Sequence, residues 1–272
     1  MLFFKIERWV NCMKKILVIG AHSYIGQNFK EYVSINDLQG LAVDMVSASD
    51  GTWRKVDFSR YNTILHLSGI VHRKEKKSMK TLYYEVNHKL AVDIAYRAKQ
   101  SHVNQFIFVS TAAVYGSYVG CITKETLPNP TTFYGKSKLA AEKDIIKLQS
   151  DDFKVAIVRP PMVYGEGCKG NYPRLVKLAK YTPVFPNFYN KRSVINVDTL
   201  SKCFVNIIEK NSDGLIYPQD DRYISTCELV INIRKDIGKK TILFNKLNIF
   251  IKVLRHRFNL FSKLFGDMYY ER

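Results

Sequence analysis

Tyr134 and Lys138 stand four residues apart in the run Tyr134-Gly135-Lys136-Ser137-Lys138, which reads as the opening of a helix. Four residues is about one helical turn, so phenol and ammonium share a face. A free phenol titrates near pH ~10, and a neighbouring cation favours the phenolate, making Tyr134 a usable base or acid near neutrality. Upstream, the apolar run Gln105 to Val109 ends in Ser110 and Thr111, and the Thr111 hydroxyl would bond the same substrate oxygen. Thr111, Tyr134 and Lys138 can together move a proton on a carbinol or carbonyl while a nicotinamide moves a hydride. A Tyr-x-x-x-Lys pair also occurs on solvated helices, so the order of motifs along the chain must carry the reading.

That order requires a particular scaffold. Short Val/Ile/Leu-rich runs at 16–19, 42–46, 64–67, 106–109 and 155–158 alternate with helical patterns at 24–33, 82–98 and 134–148. Such alternation implies an α/β fold, a doubly wound parallel sheet covered on both faces. In KILVIGAHSYIGQNF, Gly20 ends the first strand and Gly26 lies in the first turn of the next helix, the context of a dinucleotide fingerprint. Gly20 permits the tight turn, Gly26 lets helix and strand approach, and the helix N-terminus offers N–H groups to pyrophosphate. Ser23 stands where a middle glycine is common, and its hydroxyl can donate to phosphate.

The second strand ends in Val46-Ser47-Ala48-Ser49 without a well-placed carboxylate, Asp44 being too early and Asp50 late, while Arg54 and Lys55 follow. An acidic residue there selects NAD and a nearby Arg accommodates the NADP phosphate, so NADP and NAD both stay open. Asp57 is a candidate for an adenine contact or for capping its own loop.

The chain of 272 residues is 46% hydrophobic, enough for a sizeable core, and excludes disorder and disulfide miniproteins. Its net charge of +18 favours anionic partners. No nucleic-acid motif accompanies that charge, so nucleic acid is not an expected partner. Cys12, Cys121, Cys168, Cys203 and Cys227 form no closely spaced pair, which points to reduced thiols and a cytoplasmic setting rather than a zinc site. After Arg159 the chain is rich in Pro and Gly, as expected of a smaller region capping the sheet. In the tail, Leu247, Phe250, Leu254, Phe258, Phe261 and Phe265 recur at helical spacing among Lys246, Lys252, Arg255, Arg257 and Lys263. This predicts a basic amphipathic helix over 246–272, packed on the domain or a partner subunit, or lying on an anionic membrane.

GAHSYIG, VSTAAVYG, YGKSK and RPPMVYG, in this order over residues 14–165, resemble the nucleotide-sugar epimerase/dehydratase family of extended short-chain dehydrogenases/reductases. The likeness continues through GNYPRLVKLAK and NKRSVINVDTL. It implies a Rossmann-like dinucleotide-binding domain over 13–160 after an N-terminal extension, 1–12, and a small substrate-binding region over 161–245 that also contributes to the sheet. By resemblance Thr111, Tyr134 and Lys138 are catalytic, with Lys138 also on the nicotinamide ribose. Cofactor contacts are implied at Gly20, Ser23, Tyr24, Ile25 and Gly26, at Asp57, in the turn Leu67, Ser68 and Gly69 after His66, and at Asn87 and Pro160. Asn171 and Arg192 fall in segments that hold the sugar-nucleotide diphosphate, and a guanidinium suits bidentate phosphate binding. A UDP-sugar substrate and a homodimer through helices 82–98 and 134–148 are further implications.

The family's 4,6-dehydratases carry an Asp-Glu pair after the catalytic Ser/Thr; here Ala112 and Ala113 follow Thr111, so the elimination lacks its acid and base. Oxidation or reduction at C4 remains. Met162 stands where galactose-type 4-epimerases carry asparagine, and the leading expectation is 4-keto reduction of a UDP-2-acetamido-2,6-dideoxy-hexulose for surface polysaccharide. A UDP-hexose 4-epimerase stands close beside it. A catalytically silent NADP-binding regulator would need neither Tyr134 nor Lys138.

Overall fold

Alternation in the first strand decides the layering. In a computed structural model, which describes residues 13–71, 73, 75–117 and 119–272 without the side chains of Leu247, Arg255, His256, Asn259 and Leu260, Lys14–Ile19 forms β1. The expected extension 1–12 lies outside the described residues. Ile16 and Val18 of β1 pack with Phe29, Val33, Leu200 and Phe204, whereas Leu17 and Ile19 pack with Ala91, Ile94, Ala141 and Ile145. Both faces of the strand are thus buried, as its unbroken apolar run requires.

The first half comprises α1 (Tyr24–Ile35), β2 (Leu41–Val46), β3 (Thr63–His66), α2 (Lys80–Tyr84), α3 (Leu90–Gln100), β4 (Gln105–Val109), β5 (Gly120–Ile122), α4 (Phe133–Ile145) and β6 (Lys154–Val158). Then follow β7 (Met162–Tyr164), α5 (Asn171–Tyr181), β8 (Val184–Pro186), β9 (Val194–Asn196), α6 (Val197–Glu209) and β10 (Gly214–Ile216). The chain ends through α7 (Thr226–Asp236), β11 (Ile242–Phe244), α8 (Asn248–Arg257), α9 (Asn259–Phe265) and β12 (Met268–Tyr270). Six strands form one parallel sheet in the order β10-β6-β4-β3-β1-β2, with α1 and α6 on one face and α3 and α4 on the other. The winding reverses between β1 and β3, and the crevice beyond the carboxyl ends of those strands is where open α/β sheets take ligands.

Two expectations need correction. The helix expected over 82–98 is divided by a π turn at Glu85–Lys89, which places Asn87 in the interior. The single helix expected over 246–272 is instead two helices and a strand. Phe258 is extended (φ −123°) and caps α9, so the aromatic spacing does not trace one stripe: Ile251 and Phe265 are buried while Phe250 and Phe258 are exposed. The region over 161–245 also shares the main sheet, since β10 pairs with β6. Its own core joins Leu175 and Ala179 of α5, Phe185 of β8, Val230 and Ile233 of α7, and Ile251 and Phe265 of the tail. Among the described residues Cys121, Cys168, Cys203 and Cys227 are free thiols, no helix is long and apolar enough to cross a membrane, and no metal-ligating cluster occurs.

A buried ion pair ties α4 to the sheet. Arg159, just past β6, donates from Nε and Nη2 to the Glu142 carboxylate at 3.1 and 2.5 Å and from Nη1 to Tyr115 Oη at 2.6 Å. Removing one partner leaves the other charge buried and unpaired. Glu142→Ala is expected to cost about 3–5 kcal/mol in urea-induced unfolding, and an unchanged midpoint would refute this role for the pair.

Candidate active site

Thr111 follows β4 with an extended backbone, and its Oγ1 accepts from Ala113 N at 3.1 Å, capping a 3-10 turn over Ala112–Tyr115. Ala112 N donates to Pro160 O at 3.0 Å, so Pro160 fixes the residue after Thr111. α4 then meets this turn at closest approach: a Cβ on Gly135 would lie 2.6 Å from Ala113 O and 3.0 Å from Pro130. Gly135 is therefore what lets the helix bring Tyr134 alongside Thr111. Burial pushes the Tyr134 phenol up to about 12, with the neighbouring Thr111 hydroxyl opposing.

The start of α4 is fully satisfied. Glu75 accepts from Phe133 N and Tyr134 N, both at 2.9 Å, and Thr132 Oγ1 accepts from Gly135 N at 3.0 Å. A carboxylate at a helix N-terminus answers both the orphan N–H groups and the dipole. Sequence reasoning missed Glu75, which lies in a lysine-rich loop far from α4 in sequence; only the fold brings it there. Gly135 was equally missed, although a glycine inside a helix signal hints at a close backbone contact.

Lys138, one turn on, is buried, with Nζ 4.2 Å from the centroid of the Phe108 ring. Burial among apolar groups disfavours its charge and brings its pKa down to about 7, with Glu142 opposing. His66, at the end of β3, stacks near Phe106 and Phe108 at 6.1 and 5.8 Å, and neither ring nitrogen has a hydrogen-bond partner. Burial, reinforced by Lys138, holds it at about 3, a neutral imidazole at all ordinary pH.

Asn87 staples the turn after β3 to α4. Its Oδ1 accepts from Ile70 N at 2.6 Å, and its Nδ2 donates to Ile70 O at 3.1 Å and Ser137 Oγ at 3.2 Å. Gly69 sits inside this clamp, where a Cβ would be 3.0 Å from Asn87 Oδ1 and 3.9 Å from Lys138 Nζ.

The glycine loop forms the other wall. Gly20 has φ +130°, and a Cβ there would lie 3.3 Å from Ser68 N and 3.5 Å from the Leu67 carbonyl carbon. A Cβ on Gly26 would approach Met45, Leu67 and Val18 to 3.1–3.2 Å, so helix–strand packing requires this glycine. Ser23 caps α1, its Oγ accepting from Gly26 N at 3.3 Å; a hydroxyl that accepts there still has its own proton to donate. Tyr24 and Ile25 open α1, whose first turn carries no acidic residue. The Tyr24 hydroxyl turns away against Gly165, buried and unpartnered, and burial pushes it up to about 12. Bare backbone at Gly20 and Gly69, an unopposed helix N-terminus and the orphaned polar atoms of His66 and Ser110 fit a dinucleotide lying across the ends of β1, β3 and β4.

Other expected residues serve differently. Asp57 caps its own loop, accepting from Ser59 N at 3.1 Å and Ser59 Oγ at 2.7 Å, and those bonds lower its pKa. Asp44 accepts from Tyr61 Oη at 2.9 Å. Asn171 is exposed at the start of α5 and does not line the cleft beside Thr111. Arg192 does: it shares that cleft with Ala112, Met162, Met268 and Tyr269. Its Nη1 donates to Lys263 O at 2.8 Å and to Thr226 Oγ1 at 3.4 Å, which fixes the guanidinium against α9 and the start of α7.

The model of the NAD dependent epimerase/dehydratase family matches residues 16–217. A UDP-glucose 4-epimerase from Vibrio cholerae is 29% identical over 93% of this chain and 83% of its own. Among solved structures, the UDP-Glc/GlcNAc 4-epimerase of Campylobacter jejuni superposes with a TM-score of 0.68 at 22% identity, covering 85% of this chain and 86% of its own. A dTDP-4-dehydrorhamnose reductase from Bacillus anthracis, in complex with NADP, gives 0.68 at 17% identity, covering 85% and 83%.

Two outcomes test this geometry. Gly135→Ala drives a methyl group into the Ala113 carbonyl, so helix and turn must separate; a destabilisation of about 1–3 kcal/mol in chemical denaturation is expected, and wild-type stability would refute the contact. Lys138 titrates in the unfolded chain near pH ~10.4 but near 7 when folded, so the unfolded chain binds the extra proton between these values and stability rises with pH across that window. Lys138→Met should therefore raise the melting temperature of the cofactor-free protein at pH 6 and lose that advantage towards pH 10; a gain independent of pH would show the burial cost to be absent.

Proposed function

As the chain belongs to the NAD dependent epimerase/dehydratase family, we propose that it inverts C4 of a UDP-linked hexose by transient oxidation. The observation that carries this reading is that Ala112, next to Thr111, and Arg192 line one cleft, so the turn after β4 and the segment before β9 border the same space. The likeness to the Vibrio cholerae UDP-glucose 4-epimerase over 93% of the chain supports it.

In this reading Gly20, Ser23, Ile25 and Gly26 hold the cofactor diphosphate, Gly69 and Asn87 shape the floor beneath it, and Lys138 holds the nicotinamide ribose. When bound, the cofactor supplies the hydride acceptor and donor. Thr111 fixes the C4 oxygen by a hydrogen bond, and Tyr134 takes its proton and later returns it. Lys138, when protonated, favours the phenolate. Ala112, Ala113 and Met162 place no carboxylate beside C4, so no group is present to expel water from the neighbouring carbons. Met162 and Met268 wall the cleft with unbranched thioethers that grip no hydroxyl, which suits a sugar that must turn over between the two hydride transfers.

A second reading, 4-keto reduction of a UDP-2-acetamido-2,6-dideoxy-hexulose for polysaccharide, uses the same residues. The same two methionines favour it, since they would receive a C6 methyl group. At the end of β2, Ser47 and Ser49 bond each other at 3.1 Å and Arg54 lies exposed over Trp53, in place of a carboxylate; this supports acceptance of NADP as well as NAD. Association of two copies through α2–α3 and α4, where Leu82 and Ile146 are exposed, belongs to the same proposal.

Purified protein with NAD and UDP-glucose or UDP-N-acetylglucosamine, followed by NMR, should form the C4 epimer without net change at 340 nm. Tyr134→Phe should lower the rate at least ~10²-fold, the scale of one lost acid–base group. Stoichiometric oxidation of NADH or NADPH with the 4-keto sugar, and no epimerisation, would establish the reductase instead. Turnover undiminished in Tyr134→Phe would refute both.

A further inference from the structure

The tail carries an apolar surface that the active site does not use. On α8, Ile249, Phe250 and Val253 are exposed at 75%, 64% and 61%, while Ile251 on the opposite side is 2% exposed and anchored in the core. At ~100° per residue the three exposed side chains share one arc. Beside it, β11 shows Ile242, Leu243 and Phe244 to solvent, and Tyr181, Val184 and Tyr189 are exposed as well. These segments are one surface. β11 pairs with β8, Ile242 N donates to Pro183 O at 2.8 Å, Asn187 Nδ2 donates to Asn245 Oδ1 at 2.8 Å, and Asn248 Nδ2 donates to Asn187 O at 2.9 Å.

Along the segment that builds most of this patch the charge has one sign. From residue 237 to 266 the sequence holds seven Lys or Arg and no Asp or Glu. Of these, Lys239, Lys240, Lys246, Lys252, Arg257 and Lys263 are exposed. A second copy seated on the same patch by two-fold symmetry would bring these cations together with no acid to pair them. Exposed Phe and Tyr with flanking cations suit an interface that is apolar below and anionic above, where aromatic rings sit at headgroup level and lysines reach phosphate. Contiguous exposed apolar area of this kind is rare on a protein that meets only water.

We propose that β11, α8 and the adjoining ends of α5 and β8 form a docking surface for an anionic lipid bilayer. Ile249, Phe250, Val253 and Phe244 enter the headgroup layer, and Lys246, Lys252 and Arg257 contact lipid phosphates. The anchored face of α8, through Ile251, keeps the outward arc fixed, so docking needs no refolding of the tail. This inference is independent of the sugar on which the site acts.

The test is co-sedimentation of the full chain with vesicles of phosphatidylcholine alone or with 40 mol% phosphatidylglycerol. Binding to the anionic vesicles at least ~10-fold tighter than to neutral ones, weakened by 0.5 M salt, is expected. Ile249→Ser/Phe250→Ser/Val253→Ser and, separately, Lys246→Glu/Lys252→Glu should each reduce it at least ~10-fold, with melting temperature and cofactor binding unchanged. Wild-type vesicle binding by both variants would overturn the proposal, because the overall charge rather than this surface would then be responsible. Absence of binding to either vesicle, or light scattering that shows a dimer dissociated by the triple substitution, would overturn it too.

Discussion

The contact between Arg159 and Glu142 holds the parts of the site in one frame. Glu142 lies one turn beyond Lys138 on α4, Arg159 follows β6, and Tyr115 ends the turn that begins at Thr111. The guanidinium spends three donors on these neighbours, and its backbone carbonyl accepts from Tyr270 Oη at 2.6 Å, which brings in the tail. Such a pair adds little net stability over an apolar replacement, but it admits one arrangement of its partners. Lys138 shares the helix that Glu142 fixes, and Thr111 shares the turn that Tyr115 fixes. The register between the two follows from one buried bidentate bond.

The same burial sets the electrostatics. Lys138 lies on Phe108, and His66 lies between phenyl rings without a polar partner, so the floor of the crevice is apolar and its titratable groups resist charge. A phenol at about 12 and an ammonium at about 7 are a mismatched pair for proton transfer in the cofactor-free chain. Low dielectric also strengthens any charge that enters, so a ligand changes these groups more here than it would in water. The site is poised to respond to occupancy.

How far this was legible depends on whether a feature was local. Strand runs such as Ile16–Ile19 and Phe106–Val109, the Gly20–Gly26 loop and the Tyr134–Lys138 spacing are written in neighbouring residues and fall where the sequence places them. The π turn at Asn87 was invisible, because Leu82 to Ala98 satisfies helical periodicity either way and only the clamp on Ile70 decides it. Glu75 reads as one acid in a basic loop until the fold sets it against α4. In the tail, the aromatic spacing was real but its continuity was not. Phe258 breaks the helix, and the burial of Phe265 beside Phe185 and Phe188 belongs to long-range packing that periodicity does not encode.

The tail is also a structural part of the cleft beside Thr111. Lys191 N donates to Asp267 Oδ1 at 2.7 Å, Met268 N to Lys191 O at 2.9 Å, and Tyr270 N to Ser193 Oγ at 2.9 Å, so residues 267–270 brace the segment before β9 that carries Arg192. Pairing of β12 with β5 fastens the same segment to the chain that leaves the Thr111 turn. The cleft beside Thr111 therefore has walls from distant stretches: the turn after β4, the end of β5, the start of β7, the segment before β9, and β12. Arg192 donates to Lys263 O in α9 and to Thr226 Oγ1 at the start of α7, so the tail takes part in placing the guanidinium. A displacement of α9 would reach the cleft through the bond to Lys263 O, whereas the crevice floor, built on β1, β3 and α4, has no corresponding hydrogen bond to α9 among the described residues. The cleft and the crevice above the sheet thus rest on different supports, and Arg159 joins them through Glu142 of α4 and Tyr270 of β12.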